Sequence, residues 1–171
     1  MNTSYQKYVV LSTYRSGTNL LTSLLNSHPR VISHHEVFRN GYFSSHISGW
    51  NTLRAVFPIM FLNAFVYHKY PGIIKAVGFE LQYDQARAGF TQQVWQHLQN
   101  HTEIKIIHLK RSNQLETYLS YIVANKVHQW TTTRRHTIPP YHIELRPKEC
   151  RNYFMSIDRY RTWCDAYFAH H

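Results

Sequence analysis

A run of five residues, Arg15-Ser16-Gly17-Thr18-Asn19, connects a Val-rich segment to a Leu-rich one and carries side chains suited to binding an anion. The backbone N–H groups in the first turn of a helix lack helical partners, and the helix dipole favours negative charge there. The glycine lets the backbone approach an anion closely, and the arginine adds a charged, forked donor. The pattern predicts an anion-binding turn, although an ordinary strand-to-helix turn with a helix cap uses the same residue types.

This turn differs from the phosphate-binding loop of nucleoside triphosphatases. The pattern GxxxxGK[ST] is absent from the chain, and no lysine stands where the β- and γ-phosphates of a nucleotide need one. The sequence therefore favours an anion shorter than a triphosphate.

Elements on either side must hold the turn in place. Residues 8–13, 73–79 and 104–110 form short, continuously apolar runs rich in Val and Ile, which predict strands buried on both faces. Apolar residues repeat at one-turn spacing between these runs, which predicts helices. The alternation predicts one α/β domain with a central parallel sheet flanked by helices. The apolar repeats are Leu20, Leu21, Leu24 and Leu25; Phe90, Val94 and Leu98; and Leu115, Tyr118, Leu119, Ile122 and Val123.

Local signals delimit the remaining elements. Asn113, with Glu116 three residues later, predicts a helix that begins just after the third strand, which leaves Arg111 in the connecting turn. Residues 127–146 predict a surface loop. Pro147 then predicts the start of a last helix. Its apolar stripe would be Phe154, Ile157, Cys164 and Phe168.

Composition restricts the partners. Lys and Arg number 19 against 9 Asp and Glu, a formal net charge of +10, which favours an anionic partner such as a nucleic acid, a phosphorylated cofactor or an acidic polysaccharide. The 13 histidines show no metal-ligand spacing, so we expect no metal. Two cysteines predict reduced thiols rather than a disulfide framework. Without a signal segment or a sufficiently long apolar run, we expect a cytoplasmic protein with no membrane span.

Three segments resemble those of a known family. The first, RSGTN, is similar to the R-S-G-T-[ST] loop of the sulfotransferases that use 3′-phosphoadenosine 5′-phosphosulfate (PAPS). The second, NSHPRVISHHEVF at residues 26–38, resembles that family's H-P-x-V segment followed by an acidic residue. The third, KIIHLKRSNQLETYLSY at residues 105–121, fits the pattern HLxRxNxLxxxxS of the bacterial carbohydrate branch, which includes nodulation-factor and trehalose-type enzymes.

The resemblance implies a fold and a reaction. The fold would be the three-layer type of P-loop nucleotide kinases. A sulfuryl group would pass from PAPS to an acceptor hydroxyl on a carbohydrate or small metabolite, without a metal, and would leave 3′-phosphoadenosine 5′-phosphate (PAP). Residues 15–19 would bind the 5′-phosphosulfate, and Arg111 and Ser120 the 3′-phosphate. Arg15 would also act in catalysis, because negative charge spreads over the transferred group in the transition state.

Glu36 matches the residue that acts as the base in tyrosylprotein and bacterial carbohydrate sulfotransferases. His34 and His35 beside it are also competent bases near neutral pH, so all three are candidates, with Glu36 preferred. The segment GFELQYDQA, residues 78–86, also resembles the family, but Glu80 stands where the family often has lysine. No role is assigned to Glu80.

The resemblance to these sulfotransferase domains covers essentially the whole chain. Such domains usually continue with another strand, a Tyr-Glu-x-Leu segment and a basic loop that closes over the cofactor, and residues 1–171 contain none of these. We therefore expect one sulfotransferase domain over residues 1–171 that lacks the C-terminal strand and the closing loop. The oligomeric state stays open.

Two other functions fit some of these features. A small P-loop kinase is disfavoured by the missing Walker lysine. A basic nucleic-acid-binding module is favoured by the net charge of +10 and by 15% aromatic residues. However, the basic residues are scattered, no basic run is longer than Arg134-Arg135, and no RNP-like motif is present, so we expect no nucleic-acid partner.

Overall fold

Four parallel strands form the centre of the protein. The computed structural model describes residues 5–39, 41–42, 48–128, 130 and 142–171. The strands pair in the order β2-β3-β1-β4, so the two central strands are β3 and β1. Their bounds are β1 Gln6–Ser12, β2 Val31–His34, β3 Ala76–Gln82 and β4 Lys105–His108.

Helices connect the strands and flank the sheet, as the sequence predicts. A π-helical turn, Leu62–Val66, extends the third helix, and a 3₁₀ turn, Gly89–Gln92, precedes the fourth. The α-helices are α1 Thr18–Ser27, α2 Ser48–Val56, α3 Pro58–Phe61, α4 Gln93–Asn100, α5 Gln114–Val127 and α6 Pro147–Tyr167.

Both predicted starts of the late helices are confirmed. Helix α5 begins at Gln114, and the Oδ1 atom of Asn113 accepts the backbone N–H of Glu116 at 3.0 Å. Helix α6 begins at Pro147 and buries Ile157 and Cys164. The predicted loop at 127–146 lies largely outside the described residues, and so does the Arg134-Arg135 pair.

The strand predictions need three corrections. Residues 73–75 precede β3, which starts at Ala76 and continues to Gln82. The short strand β2 was not predicted, because its four residues, VISH, are too few and too polar to stand out. Strand β4 lies at the edge of the sheet and is only partly covered, with Ile107 38% exposed, so it is not buried on both faces.

Helix α1 buries a different face from the one its leucines predict. Leu20 and Leu24 are 66% and 59% exposed, whereas Thr18 and Thr22 are buried. The reason lies beneath the helix, where Thr22 donates to the buried carboxylate of Glu80 on β3. Apolar periodicity therefore identified the helix but not its packed side.

The apolar core lies on the opposite face of the central strands. Val77, Phe79 and Leu81 of β3 point into this core, while Glu80 points to the other face of the sheet and contacts α1. Two further residues of the predicted apolar repeats are exposed instead of buried, namely Phe90 in the 3₁₀ turn and Leu115 in the first turn of α5. The core includes Val9, Leu11, Phe61, Val77, Phe79 and Leu81.

Candidate functional site

The candidate site lies at the carboxyl edge of the sheet. Parallel strands end at the same edge, and ligands of open α/β sheets bind there. Each strand contributes a loop that begins at that edge: Arg15 follows β1, Glu36 follows β2, Gln85 follows β3 and Arg111 follows β4. Residues far apart in sequence thus share one region.

The predicted anion-binding turn, residues 15–19 and called the anion loop below, has a backbone conformation that few residue types adopt. Arg15 and Gly17 both have positive φ angles, 62° and 99°. The N-cap of α1 is Gly17, which has no side chain to cap the helix. The first N–H groups of α1 therefore receive no acceptor from an N-cap side chain, which is the arrangement that an anion site uses.

The loop's polar side chains have different surroundings. The hydroxyl of Ser16 is buried and donates to the backbone oxygen of Thr13 at 2.6 Å, so it stabilises the turn from within. Thr18 is buried, whereas Gly17 and Asn19 are exposed. The sequence treats all of them as donors to a ligand, but this conformation leaves the hydroxyl of Ser16 already engaged.

The residues of the first and third motifs come together. The Nε atom of Arg15 donates to the Oγ atom of Ser120 at 2.7 Å, and the Nη1 atom of Arg111 donates to the backbone oxygen of Arg15 at 3.2 Å. Arg111 also pairs with Glu116, Nη2 to Oε2, at 2.5 Å. Burial lowers the pKa of Arg15, and the nearby charge of Arg111 adds to that effect. Two guanidinium groups therefore lie close together.

Trp130 lies over this cluster. Its backbone oxygen accepts from the Nη1 atom of Arg15. Its ring packs beside Tyr14 and Tyr121, with centroids 6.1 and 6.0 Å away. These contacts link Trp130, which follows α5 in the chain, to the anion loop.

The three candidate bases lie in different environments. The Oε2 atom of Glu36 accepts from the Nε2 atom of Gln85 at 2.7 Å. His34 is half-buried, with its Nε2 atom 3.1 Å from the hydroxyl of Tyr70. Burial lowers the pKa of His34, with smaller contributions from two neighbouring histidines. His35 is exposed, and its Nδ1 atom lies 3.4 Å from the Oε1 atom of Glu80.

Glu80 is a fully buried acid that sequence reasoning left without a role. It accepts from Thr22 and lies beside His35, and its Oε2 atom has no hydrogen-bond partner among the described residues. Burial raises the pKa of Glu80, Thr22 and His35 oppose this, and Glu36 adds to it. Glu80 also departs from the family pattern, which was the only sequence signal for it.

A cavity of about 540 Å³ lies next to Gln85. Gln85, the hydrogen-bond donor to Glu36, lines it, and so does Tyr14, the residue before Arg15. The hydroxyl of Tyr14 donates to the carboxylate of Asp84. Gln85 and Asp84 lie in the segment 78–86 that resembles the family, but sequence alone gives neither of them nor Tyr14 a role. Their relation to Glu36 depends on which strands are neighbours.

Metal-ligand clusters, membrane-spanning helices and disulfides are further features that bear on function. The described ranges hold no group of three or more His, Cys, Asp or Glu side chains arranged to bind a metal. Within the same ranges no helix combines the length and apolar character needed to cross a bilayer. Both cysteines, Cys150 and Cys164, are free.

Comparison with known proteins supports a family relationship to the sulfotransferases. The relative that carries this support is Nodulation protein H from Rhizobium tropici, to which the chain is 30% identical over 167 residues. The aligned region covers 93% of this chain and 62% of the relative, so the chain spans less than two thirds of that protein's length. No family model matches the chain, and no solved structure matches it.

Proposed function

We propose that this protein is a sulfotransferase that moves a sulfuryl group from PAPS to a hydroxyl of a carbohydrate or small metabolite. Residues 1–171 would form a single domain of the P-loop nucleotide-kinase type. The observation that carries the proposal is the convergence of Arg15, Arg111 and Ser120 at the uncapped start of α1. The similarity to Nodulation protein H supports the same class of reaction.

The donor substrate would be held at both of its anionic ends. The 5′-phosphosulfate would lie on the N–H groups of Thr18 and Asn19, beside Gly17, where the helix dipole favours negative charge. The 3′-phosphate would accept from Arg111 and Ser120. A cationic cluster at a helix start fits a ligand that is anionic at both ends, and the proposal includes no metal.

Arg15 and Glu36 would act on the transferred group and on the acceptor. Glu36 takes the proton of the acceptor hydroxyl as the acceptor oxygen bonds to sulfur. The bond from sulfur to the phosphate oxygen breaks, and PAP leaves with that electron pair. Arg15 turns from Ser120 toward the sulfuryl group and stabilises its spreading negative charge. Gln85 keeps the carboxylate of Glu36 in place.

The experiment compares two ligands on one variant. Arg111→Ala should weaken PAP binding about tenfold or more, because it removes a charged hydrogen bond to phosphate. Adenosine 5′-phosphosulfate lacks the 3′-phosphate, so its affinity should barely change. Isothermal titration calorimetry measures both dissociation constants. Arg146→Ala, which removes an exposed arginine paired only with Glu149 among the described carboxylates, is the matched control. Equal losses for the two ligands would contradict the 3′-phosphate assignment.

A further inference from the structure

The cavity is connected to the proposed base through Gln85, since Glu36 itself is not among its described lining residues. It is bordered on one side by Tyr14, next to the anion loop, and on another by Gln85, which contacts the proposed base. Its volume of about 540 Å³ lies within the usual range for small-molecule sites, and a sugar unit fits in it.

The cavity lining has an excess of positive charge. Three arginines line it, Arg39, Arg54 and Arg87, together with one acid, Asp84. Asp84 accepts from the hydroxyl of Tyr14 and is exposed. A cleft lined mainly by one sign of charge focuses its field on whatever enters it.

Arg54 sets the shape of the cavity rim. Its Nη1 atom donates to the backbone oxygens of Val37 and Arg39 at 3.0 and 2.7 Å, and its Nη2 atom donates to Asn51 at 3.3 Å. Burial lowers the pKa of Arg54, but a guanidinium remains charged at neutral pH. These hydrogen bonds fix the guanidinium at the rim of the cavity.

Arg39 and Arg87 contribute in different ways. Arg39 is exposed at the rim, with its backbone fixed by Arg54, so its side chain can reach a bound molecule. Arg87 is stacked between Trp95 and Trp163, 4.0 and 4.1 Å from their ring centroids. Burial lowers the pKa of Arg87, and the charge of Asp84 opposes this slightly. Arg87 therefore adds a fixed positive field, and Arg39 a flexible contact.

We propose that the acceptor is an acidic hydroxyl compound, a sugar unit that carries a carboxylate or phosphate as well as the hydroxyl to be modified. This rests on the proposed sulfotransferase function, since it identifies the cavity as the acceptor site. The hydroxyl lies at the Gln85 end of the cavity, toward Glu36, and the anionic group contacts Arg39 and Arg54. Complementary charge makes the site select acidic over neutral sugars of the same size.

The test measures binding, with and without PAP, of three matched ligands: glucose, glucuronate and glucose 6-phosphate. We expect at least one acidic sugar to bind about tenfold or more tightly than glucose, because charge-assisted hydrogen bonds to arginine are the stronger kind. The preference should fall as salt is raised. The difference between glucuronate and the phosphate ester identifies which anion the site takes.

Two variants link the preference to the cavity. Arg39→Gln should remove most of the preference for the acidic sugar over glucose. Arg54→Lys should reduce that preference less, because lysine keeps a positive charge at this position but loses the forked donor. Arg30→Gln, an exposed arginine at the amino end of β2, is the matched control and should leave the preference intact.

Three results would overturn the inference: equal binding of glucose and both acids, no binding of any of them, or a preference that survives both cavity variants. These outcomes differ from failure of the proposed function, which would appear as absence of PAP binding or as the wrong response to Arg111→Ala.

Discussion

Glu36, His34 and His35 are neighbours in the chain, yet the fold separates their side chains. Glu36 is held by Gln85 next to the cavity, whereas the ring of His34 packs near Phe65, with centroids 5.7 Å apart. Burial also lowers the pKa of His34. A residue that is engaged with the core is badly placed to receive a proton from a substrate, so at the residue scale the geometry favours Glu36 over His34.

The first residue-scale prediction concerns this base. Glu36→Gln keeps the shape and most hydrogen bonding but cannot accept a proton. It should lower kcat by about 10²–10⁴ while PAP affinity stays nearly unchanged. Transfer of labelled sulfate to a panel of sugars and phenols measures turnover, with His34→Asn and His35→Asn as matched variants. Near-normal turnover in Glu36→Gln, with collapse in one histidine variant, would assign the base to that histidine.

The second residue-scale prediction concerns Glu80. Burial raises the pKa of its carboxyl above the ordinary value, so the folded state favours the protonated form. The stability that this gives is present below the unfolded pKa and is lost as pH rises through the folded pKa. Glu80→Gln should therefore become more stable relative to the wild type as pH rises from acid to neutral. Urea unfolding at several pH values measures this.

Exposed Glu103→Gln is the control for Glu80 and should show no such trend. Parallel stability profiles for wild type and Glu80→Gln across the pH range would argue that the partners of Glu80, Thr22 and His35, cancel the effect of its burial.

At the scale of elements, α1 shows what can and cannot be predicted from sequence. Its helical spacing and the Arg15–Asn19 turn were predictable, because they depend on neighbours in the chain. Its packed face was not, because that depends on the residue that β3 places underneath it. The same holds for Gln85 and the cavity. Motifs at fixed spacing can be predicted from sequence. Contacts between residues of different strands can be predicted only when the order of the strands in the sheet is known.

In α1, we expect a buried threonine to contribute more to stability than an exposed leucine. Thr22→Val adds an apolar group to a buried position but removes the hydrogen bond to Glu80, so it should destabilise the fold by about 1–3 kcal/mol. Leu24→Ala removes an apolar side chain that is 59% exposed, and should cost less than about 0.5 kcal/mol. Denaturant unfolding compares them. If Leu24→Ala were the more destabilising, the leucine face would be packed in solution.

At the scale of the whole molecule, the order of the strands brings together polar residues that are far apart in the sequence. Because β3 lies between β2 and β1, the loops after β2 and β3 meet, and Gln85 contacts Glu36. Because β4 lies beside β1, Arg111 reaches the backbone of Arg15. One edge of the sheet therefore carries both the proposed donor site and the proposed acceptor cavity.

The net charge of +10 favours any anionic ligand and does not identify which one binds. Thermal stabilisation of the whole molecule by chosen ligands tells the candidate ligands apart. A ligand that binds only the folded state stabilises it by about 2.7 kcal/mol at a concentration of 100 Kd. For a chain of this size that corresponds to a rise in Tm of roughly 5–10 °C. We expect this rise with PAP, and little change with ATP and Mg²⁺ or with a short oligonucleotide at the same concentration. PAP carries a phosphate at each end, and the proposed site binds one at the start of α1 and the other with Arg111 and Ser120. The chain lacks a Walker lysine for a triphosphate. Stabilisation by the oligonucleotide that exceeds that by PAP, and that disappears at high salt, would favour the nucleic-acid-binding alternative.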